Sequence, residues 1–239
     1  LVRNYLSYKK KSNNAHLKDG LKKTESKTVQ GIIQESAEHI SNVVSRTNKI
    51  YSNMLTGLAT EDLSKLKKSR KGVEKLNKEV DELRDDIFYF IKNLDETSVL
   101  GSNFYIIILG YLQDVAQSLD FLAKTSYKHV NNNHKSLKFS QIKDLQDIDN
   151  LFESLLNEIE AIFNNREFEK LGDIINRKQK TQHDLALKIT SQINRTRTED
   201  DVSPKNTALH FSLLLETKDL VSAIMNLIEE YYDSYNIKN

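Results

Sequence analysis

The sequence predicts an all-α protein built as two stacked three-helix bundles of six long helices, and three observations carry that prediction. One Pro and seven Gly in 239 residues leave few places to turn the chain. Apolar residues recur at three- and four-residue steps through long segments. Stop and start signals fall between those segments, at Gly57, at Asn131-Asn132-Asn133 and at Ser203-Pro204.

The first segment spans about 26 to 57, with Val29, Ile32, Ile33, Ile40, Val43, Val44, Ile50, Tyr51 and Met54 on one stripe. Thr60 is the expected cap of the second. Its stripe is Leu63, Leu66, Arg70, Val73, Asn77, Val80, Leu83, Ile87, Phe90 and Leu94, two of them, Arg70 and Asn77, polar. The third covers about 101 to 131 and stops at three asparagines, which tolerate left-handed backbone. The fourth covers about 139 to 164 through Ile142, Leu145, Ile148, Phe152, Leu155, Ile159 and Ile162. The fifth is expected as one helix over about 167 to 195, carrying Leu171, Ile174, Ile175, Leu185, Ile189 and Ile193. RTRTEDD follows as the clearest polar loop. Ser203 then caps the sixth, with Pro204 at its first position and Phe211, Leu214, Leu215, Val221, Ile224, Ile228 and Tyr232 continuing the pattern.

The segments read as one unit used twice. Leu55 and Leu63 flank the first turn as Phe163 and Leu171 flank the fourth-to-fifth turn, both at an offset of 108 (163 − 55 and 171 − 63). Short connections favour antiparallel neighbours over one continuous coiled coil. The expected organisation is a basic lead over 1–25, a first bundle over 26–135 and a second over 136–239.

A hydrophobic fraction of 38% suits a folded globular chain, and the absence of Cys removes disulfides, thiolate zinc sites and cysteine nucleophiles. The sequence starts at Leu1 without an initiator Met, which reads as a piece of a longer protein. The longest apolar run, FYIIILGYL at 104–112, is well short of the roughly 20 residues that span a bilayer. Residues 1–28 carry eight basic and two acidic side chains, a net +6, which leaves −5 for the rest of a chain whose total is +1. Arg3, Lys9, Lys10 and Lys11 in such a head fit the cytoplasmic flank of a membrane segment, facing anionic lipid; a solvated arm or a nucleic-acid tail fits the same charge.

No Gly-x-Gly-x-x-Gly, P-loop, Gly-x-Ser-x-Gly or His-Glu-x-x-His occurs, so a non-enzymatic role is expected. Paired-glutamate bundle sites also need Glu-x-x-His, which is missing. Nucleic acid is not expected as a partner, because the body is net acidic. The candidate chemistry is a carboxylate cluster for a divalent metal: Asp81, Asp85 and Asp86 on the second helix with Asp114 and Asp120 on the third. Against it stands an ordinary wet face, with Lys78, Arg84 and Lys124 placed to neutralise those acids. His129 and His134 are spaced by five rather than four, and Tyr231, Tyr232 and Tyr235 read as packing groups.

The two-fold three-helix plan, with NKEVDELRDDI at 77–87 and QSLDFLAKTSYKHV at 117–130, resembles the PhoU family of phosphate-transport regulators. The resemblance implies an acid, three residues and an Asp on the second helix of each unit and a Leu-Glu-Arg-Ile-Gly-Asp-like signature on the third, whose acids bind metal clusters. Here Asn77 and Asp81 occupy the first pair, while Leu119, Asp120, Leu122 and Lys124 fall on the second signature, so an amide and a lysine replace two acids. His183, Asp184, Glu216 and Asp219 are the nearest groups in the second half. FYIIILGYLQDVAQSLDFLAKTSYKHVNNNHK with LLLETKDLVSAI is most similar to the cytosolic PhoU-like C-terminal domain of PiT-type phosphate permeases in Bacteroidetes-like bacteria. That resemblance implies a regulatory domain on the cytoplasmic side of the inner membrane, partnered by a phosphate transporter's membrane domain. A soluble scaffold that forms a homodimer through an apolar stripe is the alternative.

Overall fold

A computed structural model describes residues 29–92, 99–198 and 203–237, the side chains of 86–92 excepted. The basic lead, with Arg3 and Lys9 to Lys11, lies outside the described residues. The described residues form α1 (Val29–Ala59), α2 (Leu63–Lys92), α3 (Val99–Asn131), α4 (Phe139–Asn165), a 3₁₀ turn (Phe168–Lys170), α5 (Leu171–Asn176), α6 (Lys178–Thr198) and α7 (Pro204–Asn236).

Helix ends follow from local chemistry, with two departures from expectation. Ser203 caps α7 as its sequence suggests, its Oγ accepting from the Asn206 N–H. At α2 the cap is Asp62 rather than Thr60: Asp62 Oδ1 accepts from Ser64 and Lys65 N–H at 2.9 and 3.1 Å, while the Thr60 hydroxyl donates back to the Thr56 carbonyl. A carboxylate suits that end, because it also meets the positive pole of the helix. The expected fifth helix is three pieces. Phe168 is fully buried against Phe163 and the tyrosines of α7, which holds 168–170 in a tight turn. At Arg177 the side-chain Nε takes the Asp173 carbonyl at 3.2 Å, so the backbone N–H bonds to Ile174 instead and the ladder breaks there. Arg195 to Thr198, expected in a loop, continue α6, because Arg195 and Thr196 both bond to Gln192 one turn back.

Three helices end in one motif. The N–H of Glu61, Asn133 and Arg166 reaches back to Leu58, Val130 and Phe163, and the following N–H of Asp62, His134 and Glu167 reaches Gly57, His129 and Ile162. This is the Schellman pair, and the residue between must adopt left-handed backbone. Glu61, Asn133 and Arg166 have φ of 54°, 53° and 59°. Only Asn133 is a residue type that announces it.

Those caps set the internal repeat at 105 residues, not 108: Arg166 follows Glu61 by 105 (166 − 61). Helices α3 and α7 then coincide end to end, 99 with 204 and 131 with 236. Every buried residue of α3 except Ser102 has a buried counterpart in α7 at that offset. An offset of 108 would instead set buried Ile108 and Leu122 against Glu216 and Glu230, which are half-exposed. A slip of three residues rotates a helix by only about 60°, so hydrophobic stripes alone barely distinguish the two.

Packing joins each helix to its counterpart. α1 lies along α4, α2 and α3, and α3 lies along α2 and α7, with α6 and α5 against α7. Ser41 donates to Asn164 at 2.6 Å and Asn48 to Asn157 at 2.9 Å, so α1 and α4 run antiparallel, and counting inward sets Ile50 opposite Leu155, its own counterpart (155 − 50 = 105). Phe104 meets Tyr231 with ring centroids 5.1 Å apart; eleven residues inward on each helix, Val115 stands opposite Leu220, again 105 apart (220 − 115). Both pairs cross at equivalent residues, as an internal two-fold axis requires.

The buried residues form one hydrophobic cluster that draws on all seven helices. Two buried tyrosines tie it across α1 and α7: Tyr51 OH to Thr217 Oγ1 at 2.9 Å and Tyr231 OH to Ser36 Oγ at 2.7 Å. Burial pushes both phenols well above the usual tyrosine range, so they stay neutral. Tyr231 is thus the packing group its sequence position suggests. Gly57 is buried where α1 meets the start of α2, and a β-carbon there would approach Leu66 Cγ at 3.0 Å and Lys65 Cβ at 3.1 Å. α3 is long and apolar enough, by length and composition, to cross a bilayer. Here it lies against three other helices, which gives its apolar residues protein neighbours.

Candidate functional site

The metal candidates do not converge. Asp81 is exposed and paired with Arg84 at 3.2 Å, and Asp85 is exposed on the same helix. Asp120 is held by Lys124 at 2.6 Å, one turn along α3. Pairs of this kind on a wet surface contribute up to about 1 kcal/mol and leave little charge for an ion. Asp86 lies outside the described side chains. Among the described residues no three His, Asp or Glu side chains are placed to hold a metal. His129 serves its helix end instead: its Nε2 bonds to the Lys135 carbonyl at 3.1 Å, and its ring meets His134 edge-on.

Asp114 lies elsewhere, in an open groove of about 460 Å³ between α3 and α7. Asp114, Gln117, Ser118 and Phe121 form one stripe on α3, spaced by three and four; Glu216, Asp219, Ser222 and Asn226 form the facing stripe on α7. Asp219 is the counterpart of Asp114 (219 − 114 = 105), and both adjoin the Val115–Leu220 crossing, so the groove sits over the internal axis. Three carboxylates line it and no lysine or arginine does. Phe121, 45% exposed, supplies an apolar floor. Such a groove suits a basic or amide-bearing helix with one apolar anchor. The sequence offered Asp114, and separately Glu216 and Asp219, but only the 105-residue register and the antiparallel crossing bring them together.

A second polar region escaped sequence reading. Asp144, 8% exposed, accepts from Arg195 Nη2 and from Lys188 Nζ at 3.2 Å, and Lys188 also reaches Asp147 at 2.7 Å. His210 is fully buried beside this cluster. Burial pushes its pKa down to about 4; Asp144 opposes that shift and Arg195 adds to it. His39 is likewise pushed down to about 4 by burial, with Arg46 adding to it. Arg46 is in turn paired with Glu79 across α1 and α2. Both histidines are therefore neutral at pH 7. Isolated histidines on apolar stripes carry no spacing signal, so neither stands out in the sequence.

Compared with family models, with curated proteins and with solved structures, the chain matches none.

Proposed function

We propose that the chain is a PhoU-like regulatory domain, two three-helix bundles stacked about the internal axis, that acts by contact and without catalysis on an inorganic phosphate transporter at the cytoplasmic side of the inner membrane. The observation that carries the reading is the 105-residue repeat, in which α1, α2 and α3 recur as α4, α5–α6 and α7, the last pair coinciding in both ends and in buried face. A two-fold repeated bundle is the plan that the resemblance in 77–87 and 117–130 implies. The basic lead provides the membrane-proximal end of this picture, and the acidic groove over the axis provides a docking surface for a transporter's cytosolic helix or loop.

The test is phosphate uptake by cells whose native protein lacks residues 26–239, beside cells carrying Asp114→Lys with Asp219→Lys. Altered uptake in both is expected; uptake unchanged by the deletion overturns the proposal.

One observation favours a second reading, a helical scaffold that dimerises. Val99 and Leu100 at the start of α3 are 65% and 75% exposed, and Ile106 two turns on is 41% exposed. A dimer in sedimentation that Leu100→Lys dissolves, together with a normal phosphate phenotype, would favour it.

A further inference from the structure

The acidic groove over the internal axis carries charge that the described residues leave unpaired. Asp114, Glu216 and Asp219 line it, and none of the three has an ion pair or hydrogen bond among the described residues. At its edge Lys178 reaches Asn226 at 3.3 Å, but that amine is held by Glu229 at 2.8 Å. Ser118 points to a ligand independently. It lines the groove at 6% exposure, and its hydroxyl bonds neither to the carbonyl one turn back nor to any other described group. A polar side chain so enclosed is normally bonded. Packing does not demand that hydroxyl: its counterpart across the internal axis is Ala223 (223 − 118 = 105), on the same groove and equally buried.

Three carboxylates, a hydroxyl, the Gln117 amide and the Phe121 ring suit a segment that offers ammonium groups and an apolar side chain. The chain itself supplies one. LKDGLKK at 17–23 sets Lys18, Lys22 and Lys23 against a single acid, Asp19, with Leu17 and Leu21 beside them. These residues lie outside the described ones, but the point from which they depart does not. Gln30, in the first turn of α1, donates from Nε2 to the Ser234 and Tyr235 carbonyls at 3.0 and 3.1 Å, so the start of α1 adjoins the end of α7. From Ser234 back to Asp219 is 15 residues (234 − 219), about 22 Å of helix. An extended chain covers roughly 3.3 Å per residue, so about seven residues from Val29 reach that carboxylate. Lys22 and Lys18 are seven and eleven residues from Val29 (29 − 22 and 29 − 18), whereas Lys27, at two, falls short.

We propose that residues 17–23 seat in the groove between α3 and α7 of their own chain, with Lys18, Lys22 and Lys23 on Asp114, Glu216 and Asp219 and a leucine on Phe121. The tether holds the segment at an effective concentration on the order of millimolar, so surface pairs that are weak one by one suffice. Arg3 and Lys9 to Lys11, farther from the attachment point, stay outside the groove. The contact stands on charge and reach alone; its consequence, that a transporter's segment must displace the lead to use the groove, rests on the regulatory reading.

A carbodiimide, which joins an amine directly to a touching carboxylate, tests the contact on the dilute full chain, read by mass spectrometry of the monomer. Lys18, Lys22 or Lys23 is expected joined to Asp114, Glu216 or Asp219, and Lys27 to none of them. The yield should fall about fivefold or more in 1 M salt, where the screening length is about 3 Å. The chain has no Cys, so Leu21→Cys with Ser222→Cys gives a single possible pair. Its disulfide should form within the monomer, and Asp114→Lys with Asp219→Lys should slow it about fivefold or more. Links confined to dimers, which would make a second copy the occupant, links spread equally over Asp81 and Asp85, no links at all, or a disulfide rate indifferent to the charge reversal overturns the proposal. Altered phosphate uptake in cells carrying Asp114→Lys and Asp219→Lys, without the crosslink, sinks the contact and leaves the regulatory reading standing; the crosslink with unchanged uptake does the reverse.

Discussion

Acidification should destabilise this protein before its carboxylates are protonated, because the buried His210 and the half-buried His39 are held as neutral rings. Each has its pKa lowered from 6.5 to about 4, with burial as the main cause. In the unfolded chain both take a proton near pH 6.5; in the native state they resist until about pH 4. A depressed pKa contributes stability that is fully present above the unfolded value and is lost as pH falls through the folded one. At pH 5 the loss relative to pH 8 is on the order of 2 kcal/mol per histidine, about 4 kcal/mol together. That is a large part of a typical total of about 5 to 15 kcal/mol. His129, also lowered by burial, adds in the same direction. Asp149, raised by burial, works the other way, and only where carboxylates titrate. Urea unfolding at pH 8, 6.5 and 5 measures the effect as a falling midpoint at constant slope, with about two protons taken up. His39→Gln and His210→Gln should each remove about half of the pH dependence, whatever they do to stability at pH 8. Equal stability at pH 8 and pH 5 within about 1 kcal/mol, or a dependence that survives the double substitution, would refute the reasoning.

Arg166→Gly relieves left-handed strain worth about 1 to 2 kcal/mol and gives back about 0.5 to 1 kcal/mol in chain entropy, so a net gain of about 0.5 to 1 kcal/mol is expected in urea melts. Asn133→Gly, at a residue that tolerates the conformation, should gain less. Gly57→Ala should cost about 1 to 3 kcal/mol, since its β-carbon meets Leu66 and Lys65 inside van der Waals distance; Leu66→Ala in the same chain would recover part of the strain and give a coupling that the same melts can read. Ser203→Ala removes the α7 cap and should cost about 1 kcal/mol, with hydrogen exchange accelerating first at Asn206 and Thr207.

Helices were legible in the sequence wherever a stripe ran unbroken and a recognisable signal ended it, as for α3 with its asparagines and α7 with Ser203-Pro204. They were misread where a side chain overrode the stripe. Nothing local in GDIINRKQK tells that Arg177 will take the Asp173 carbonyl, and nothing in RTRT tells that Gln192 will anchor two of its residues. The repeat was visible but slipped by three, because the signal that fixes its register is a backbone conformation at Glu61 and Arg166, two residue types not associated with it. For Asp81 and Asp120 the sequence left a metal cluster and a wet face with Arg84 and Lys124 as alternatives, and the pairs at one-turn spacing are what the helices hold. Asp144, Arg195 and His210 meet across three helices, and no spacing along the chain encodes such neighbours.

The crossing of α3 with α7 and of α1 with α4 at equivalent residues has a consequence for the molecule's ancestry. Had 26–135 once been a separate chain, the faces now covered by α4 and α7 would have met the same faces of a second copy, and each substitution there would have been felt twice. Fusion removes that constraint, because two residues 105 apart in one chain can then change independently. A chain cut back to the first unit would recover the older situation, with two apolar helix faces uncovered and another copy of itself as the best-fitting cover.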